Sequence, residues 1–137
     1  MNHEINMLLT ERFGKDSLIA LATVDVDGST PHVRTVNAVY MDGAFYCITH
    51  QLSGKMQQIV RNNSVAVCGE WFTGHGRGES LGHVLLAENR EIAAALRNAF
   101  AAWYDNGHIE EEDPNTIILK IELIDGVLMK QGKRSEL

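Results

Sequence analysis

Two Asp-Gly pairs, Asp27-Gly28 and Asp42-Gly43, punctuate the first half of this chain, and they constrain its fold more than any other feature. Residues 18–26 are rich in small and β-branched side chains, 32–41 read as a second extended run, and 44–49 as a third. A two-residue Asp-Gly between extended runs favours a type I′ turn, so 32–41 and 44–49 are expected to form a tight hairpin. Neighbours joined this way are antiparallel, which excludes the alternating strand and helix order of a parallel sheet with crossover helices.

The rest of the chain supplies the remaining elements. Ile5, Leu8, Leu9 and Phe13 recur at helical spacing, predicting a helix over 2–13 that Gly14 can end. Met56, Ile59 and Val60 make the stripe of a short helix that Ser53 can cap and that stops at Asn62-Asn63. Residues 65–72 are the fourth strand. The glycine-rich "TGHGRGESLG" that follows is expected to bend or bulge before another extended piece at 83–86. Ile92, Leu96, Ala99, Phe100 and Trp103 line a helix over 88–104, which Asn106-Gly107 stops. Ile117, Leu119, Ile121 and Leu123 alternate as a strand, Asp125-Gly126 turns or bulges, and 127–130 closes the sheet. The expected class is mainly β with helices (α+β), a six-stranded antiparallel barrel with helices outside it, as one domain over 1–137.

Composition narrows the function. The 137 residues are 45% hydrophobic and 22% charged, a globular profile, and the net charge is −6 with no run of basic residues, which argues against a nucleic-acid binder. No apolar stretch reaches the roughly 18 residues of a membrane span. The first fifteen positions carry Glu4, Glu11 and Arg12 where a signal peptide has its apolar core, so the expected location is cytoplasmic. Cys47 and Cys68 lie apart in apolar segments and read as buried free thiols.

"CITHQLSGKMQQI", residues 47–59, invites comparison with a P-loop and fails it twice. Thr49 stands where the first glycine belongs, and Met56 where the magnesium-holding hydroxyl belongs. What remains is a helix start with free N–H groups, Ser53 and Lys55, a combination that suits a phosphate monoester. The alternative is that Ser53 only caps and Lys55 is a solvated charge. Arg34, among Val33, Val36, Ala38 and Val39, needs an anion, an acidic partner or an edge position facing water. Trp71 and Phe72, beside the glycines, are either core residues or the walls of a planar cofactor site. His75 and His83 lack a Cys or acid at metal-ligand spacing, so no metal site is expected. No G-x-S-x-G, H-E-x-x-H or apolar carboxylate pair is present, which points to a cofactor that brings its own reactivity.

"HVRTVNAVYMDGAFYCITHQLSGKMQQIVRNNSVAVCGEW" resembles the pyridoxamine 5′-phosphate oxidase-like family of split-barrel flavoproteins, and the likeness runs from about residue 18 to 127. It rests on an Arg in the second strand, a hairpin, a strand ending in Thr, and a Lys at a helix start followed by paired asparagines. The resemblance implies FMN at the interface of a homodimer. Arg34 and Lys55 would then meet the FMN phosphate, with Ser53 and Thr49 adding donors. Val36, Asn37 and Ile48 would lie along the ring and ribityl chain, and Trp71 would stand near the cofactor. It further implies an oxidoreductase acting on a small molecule, with a nicotinamide donor or small reduced substrate. Two departures count against the vitamin B6 oxidase reaction itself: Gly54 stands where those oxidases carry Arg, and the segment ending "GKRSEL" lacks their substrate-binding Arg and His region. The competing expectation is a non-catalytic haem- or B6-vitamer-binding protein, with His75 or His83 as an axial ligand.

Overall fold

A computed structural model describes residues 2–137. Helix α1 (His3–Phe13) starts at Asn2, whose side chain accepts from the Glu4 N–H, and buries Ile5, Leu9 and Phe13. Strands β1 (Ser17–Val24), β2 (Pro31–Met41) and β3 (Ala44–His50) follow, then α2 (Gly54–Arg61), β4 (Ser64–Gly69) and β5 (Phe72–His83). A 3₁₀ turn at Ala87–Asn89 leads into α3 (Arg90–Ala99), and β6 (Thr116–Lys130) and β7 (Lys133–Glu136) end the chain. Every strand pairing is antiparallel. The order β3-β2-β1-β4-β5-β6 closes on itself through β3–β6, which makes a six-stranded barrel, and β7 is added along β6. No helix among the described residues is long and apolar enough to cross a membrane.

The Asp42-Gly43 turn takes the expected form: φ is 46° at Asp42 and 98° at Gly43, and Met41 pairs directly with Ala44. Four other expectations change. The glycine-rich stretch lies within β5, with Gly74, Gly76 and Gly78 inward and Thr73, His75, Arg77 and Glu79 outward. The expected bulge falls at its end, where Leu81 and Gly82 stand opposite Ile118 between the pairs Ser80 with Leu119 and His83 with Ile117, but β5 ends at His83, so 83–86 is not a further extended piece. A Cβ at Gly76 would stand 2.6 Å from the Glu122 carbonyl oxygen, and one at Gly78 3.0 Å from Ile59 Cγ2, so these glycines let β6 and α2 approach the wall. Residues 117–130 form one strand, and the irregularity expected at Asp125-Gly126 is a bulge at Ile124, between the pairs His75 with Asp125 and Gly76 with Leu123. The helix expected to reach 104 ends at Ala99, followed by turns in which Phe100 and Tyr104 still pack inward. Cys68 is exposed, because it shares the outer face of β4 with Ser64, whereas Cys47 is buried as expected.

Two cores result. The barrel interior joins α1 through Phe13, which contacts Phe45 edge-on at 5.6 Å, and α2 through Met56 and Ile59. The two helices cover opposite ends of the barrel, α1 near Phe45 and Phe72, α2 near Thr23 and Gly78. A second core lies outside, where α3 and its following turns bury Leu96, Phe100 and Tyr104 against Val39 and Ile118.

Candidate functional site

The barrel is closed but split. β2 pairs with β3 only over Val39–Met41, while its first part, Pro31–Ala38, is committed to β1. The later part of β3 pairs with β6 alone. Side chains alternate along a strand, so Arg34 and Val36 share the inward row of β2 with Ala38, and Cys47 and Thr49 share that of β3 with Phe45. These rows face each other across the opening, and α2 covers that end of the barrel.

The hydrogen bonds of this end leave positive charge uncompensated. Arg34 Nη1 donates to Thr23 Oγ1 at 2.7 Å and to the Leu21 carbonyl at 3.3 Å, and Nη2 donates to Gln58 Oε1 at 3.2 Å. Thr23 Oγ1 in turn donates to Gln58 Oε1 at 2.5 Å. All three acceptors are neutral. Among the described residues, neither Arg34 nor Lys55 has an acidic partner. Burial holds the Lys55 ammonium below its ordinary pKa, the Arg34 charge acts in the same direction, and burial likewise lowers Arg34. The neighbouring Cys47 thiol is pushed up to about 12 by burial, so it stays protonated beside Lys55.

Ser53 departs from its expected role. It occupies the N-cap of α2, yet its side chain makes no cap hydrogen bond, and its buried Oγ has no partner. A buried hydroxyl without a partner costs about 1–3 kcal/mol, a cost that a hydrogen-bonding group placed here would relieve. Space for one exists at the helix start, because a Cβ at Gly54 would meet nothing within 4 Å. The free N–H groups of the first turn, with Lys55 and Arg34, give this end of the barrel the chemistry of a candidate anion site.

The other expected residues divide. Val36 packs against the barrel core below Arg34, and Thr49 continues the row on β3. Asn37 points outward, where its amide donates to Asp16 Oδ1 at 2.9 Å while Trp103 Nε1 donates to Oδ2 at 2.8 Å. Ile48 faces the α3 core and, with Thr49, His50, His108, Glu110 and Asp113, lines a cleft of about 360 Å3. Trp71 is 72% exposed with φ of 53°, in the β4–β5 turn at the α1 end of the barrel. The chain therefore does not bring it together with Arg34 and Lys55. Val60, expected on the buried stripe of α2, is 68% exposed. Sequence reasoning missed Thr23 and Gln58. The signals were present: Thr23 is polar at an inward position of an apolar strand, and Gln58 is three residues from Lys55 on one helix face.

The family model for pyridoxamine 5′-phosphate oxidase matches residues 5–128. The chain belongs to this family. No curated protein is a match in sequence. Within the pyridoxamine 5′-phosphate oxidase fold, the chain is similar to General Stress Protein 26 from Bacillus anthracis, at 19% identity and TM-score 0.72, covering 98% of this chain and 99% of that one. A FAD-binding protein from Mesorhizobium loti matches at 14% identity and TM-score 0.68, with 92% of each chain covered. A haem-binding protein from Mycobacterium smegmatis matches at 15% identity and TM-score 0.67, over 90% of this chain and 53% of that one.

Proposed function

We propose that this member of the pyridoxamine 5′-phosphate oxidase family binds FMN and acts as an oxidoreductase on a small molecule, with a nicotinamide or small reduced donor. The observation that supports the reading is a pair of cations, Arg34 and Lys55, with no acidic partner among the described residues, together with the buried, partnerless Ser53 hydroxyl at the start of α2. A phosphate monoester accepts from all of these groups and compensates both cations. Val36 and Thr49 would flank the ligand as it leaves the phosphate along the split, and Ile48 would contribute from the end of β3. Asn37 would serve from its backbone, since its side chain is held by Asp16. Bound FMN supplies hydride or single-electron transfer at its ring. The chain's part is to hold the phosphate, orient the ring and exclude water.

A homodimer is part of this reading. Val33 and Leu18 are 70% and 65% exposed on the outer barrel face, where Val33 with Ala20, Ala22, Ala66 and Cys68 lines a shallow cavity of about 390 Å3. A symmetric partner would cover that apolar surface. Ala66→Glu should give a monomer by sedimentation if so, and an unchanged dimer would exclude this face.

One observation favours a second reading. His75 Nδ1 lies 3.0 Å from Asp125 Oδ1, which leaves Nε2 free at the edge of the same apolar face, whereas His83 Nε2 is taken by the Glu111 carbonyl at 2.7 Å. Of the two histidines, His75 is the one that keeps Nε2 for an axial haem bond. The absorption spectrum of the purified protein, with the released chromophore identified, decides between the readings. Flavin bands identified as FMN support the first, and a Soret band lost in His75→Ala supports the second. A phosphorylated B6 vitamer in the released fraction would keep the anion site and change its occupant.

A further inference from the structure

Resting on the FMN reading, we infer that Gln58 is a specificity-determining positioning residue: with Thr23 it clamps the Arg34 guanidinium through uncharged acceptors, so the site selects phosphorylated over unphosphorylated ligands. Arg34 can only donate, so the Gln58 atom at 3.2 Å from Nη2 is its oxygen. Thr23 Oγ1 accepts from Arg34 and donates to the same Gln58 oxygen, which closes a ring of three hydrogen bonds. The ring fixes the guanidinium in direction and leaves its formal charge intact.

A carboxylate at this point would orient Arg34 equally well. Glutamate has the shape of glutamine, so position 58 could have carried an ion pair with Arg34, and that pair would have stabilised the unliganded chain. Glutamine leaves the cation unneutralised. Gln58 follows Lys55 by three residues, so the same helix face presents a charge and a neutral clamp side by side. The Arg34 charge also acts on Lys55, in the direction that lowers its pKa.

The test compares FMN with riboflavin, which differ only in the phosphate, by quenching of flavin fluorescence on titration with the full chain. Gln58→Glu should lower FMN affinity at least about tenfold, leave riboflavin affinity unchanged and raise or maintain the thermal midpoint. Gln58→Met, which removes the acceptor without adding charge, should cost FMN affinity severalfold. That loss should disappear when Arg34 is already Ala, because the clamp acts only through Arg34. Equal FMN affinity in wild type and Gln58→Glu, or equal losses of FMN and riboflavin, would overturn the inference. So would a Gln58→Met effect that persists in Arg34→Ala. Lys55→Ala separates the two levels: if it removes the preference for FMN while Gln58→Glu keeps it, the phosphate site stands and the clamp does not. A wild-type chain that binds FMN no better than riboflavin overturns both.

Discussion

Replacing Lys55 by Met should strengthen the unliganded protein and weaken the liganded one. Methionine keeps most of the aliphatic stem and removes the ammonium, so packing changes little while a half-buried charge beside Arg34 disappears. Among the described residues Lys55 has no acidic partner, and burial is the leading cause that disfavours its charged form, with Cys47 opposing it and the Arg34 charge adding to it. With screening by solvent at a half-exposed position, relief of that cost is about 0.5–1 kcal/mol. For a domain of this length the thermal midpoint should rise by about 2–4 °C in phosphate-free buffer. FMN binding should lose one charge-assisted contact, about 1.5–3 kcal/mol, or about 10- to 150-fold in affinity. Circular-dichroism melts measure the first change and flavin-fluorescence titration the second. A variant less stable than wild type with FMN affinity intact would show that Lys55 is a structural lysine and that the anion site has been misplaced.

Three further outcomes are expected. Because Lys55 titrates below its ordinary 10.5 in the unliganded chain and a bound phosphate favours the ammonium, FMN affinity should fall as pH rises through that lowered pKa, and Lys55→Met should lose this alkaline limb in the same titration. Glu111 accepts from Tyr104 Oη at 2.5 Å and Arg97 Nε at 2.6 Å, and the Tyr104 bond leads the causes that lower its pKa. Glu111→Gln should cost about 1–2 kcal/mol by urea denaturation at neutral pH. Since the folded pKa is the lower one, that difference should be complete above the ordinary carboxylate pKa of 4.5 and vanish as pH falls through the folded value. Gly76→Ala would set its Cβ against the Glu122 carbonyl oxygen, which belongs to the backbone and has little freedom to move. A loss of about 2 kcal/mol or more is expected in thermal melts, and an unchanged midpoint would mean that β5 and β6 are further apart.

The glycines of β5 mark where local sequence reasoning stops. Glycine weakens an isolated strand, so "TGHGRGESLG" reads as a bend or bulge between two extended pieces, yet it runs on as one strand whose period-2 alternation places each inward glycine where β6 or α2 comes close. The benefit of having no side chain there depends on residues about 20 to 50 positions away. Ser53 shows the same limit in the site. Its residue type and position predict a cap, and its hydroxyl instead lies buried without a hydrogen-bond partner. Arg34 was legible as a residue needing an anion, because an apolar strand gives it no local partner. Which of its possible partners it takes was not.

By itself the sequence determined the antiparallel order, through Asp-Gly turns, and the residues of the proposed anion site, through the helix start at Ser53 to Lys55 and the Arg in the second strand. Turn geometry and helix-end polarity act over a few residues, so local sequence carries them. The tertiary structure alone decided that β2 and β3 pair only from Val39 to the turn and are parted before it, that α2 closes that end of the barrel, and that Arg34 is held by neutral acceptors. These depend on groups distant in the chain, Thr23 and Gln58 among them, being brought within hydrogen-bond range. A charge is free for a ligand only when every neighbour that could neutralise it is known, and the barrel, not the local sequence, chooses those neighbours.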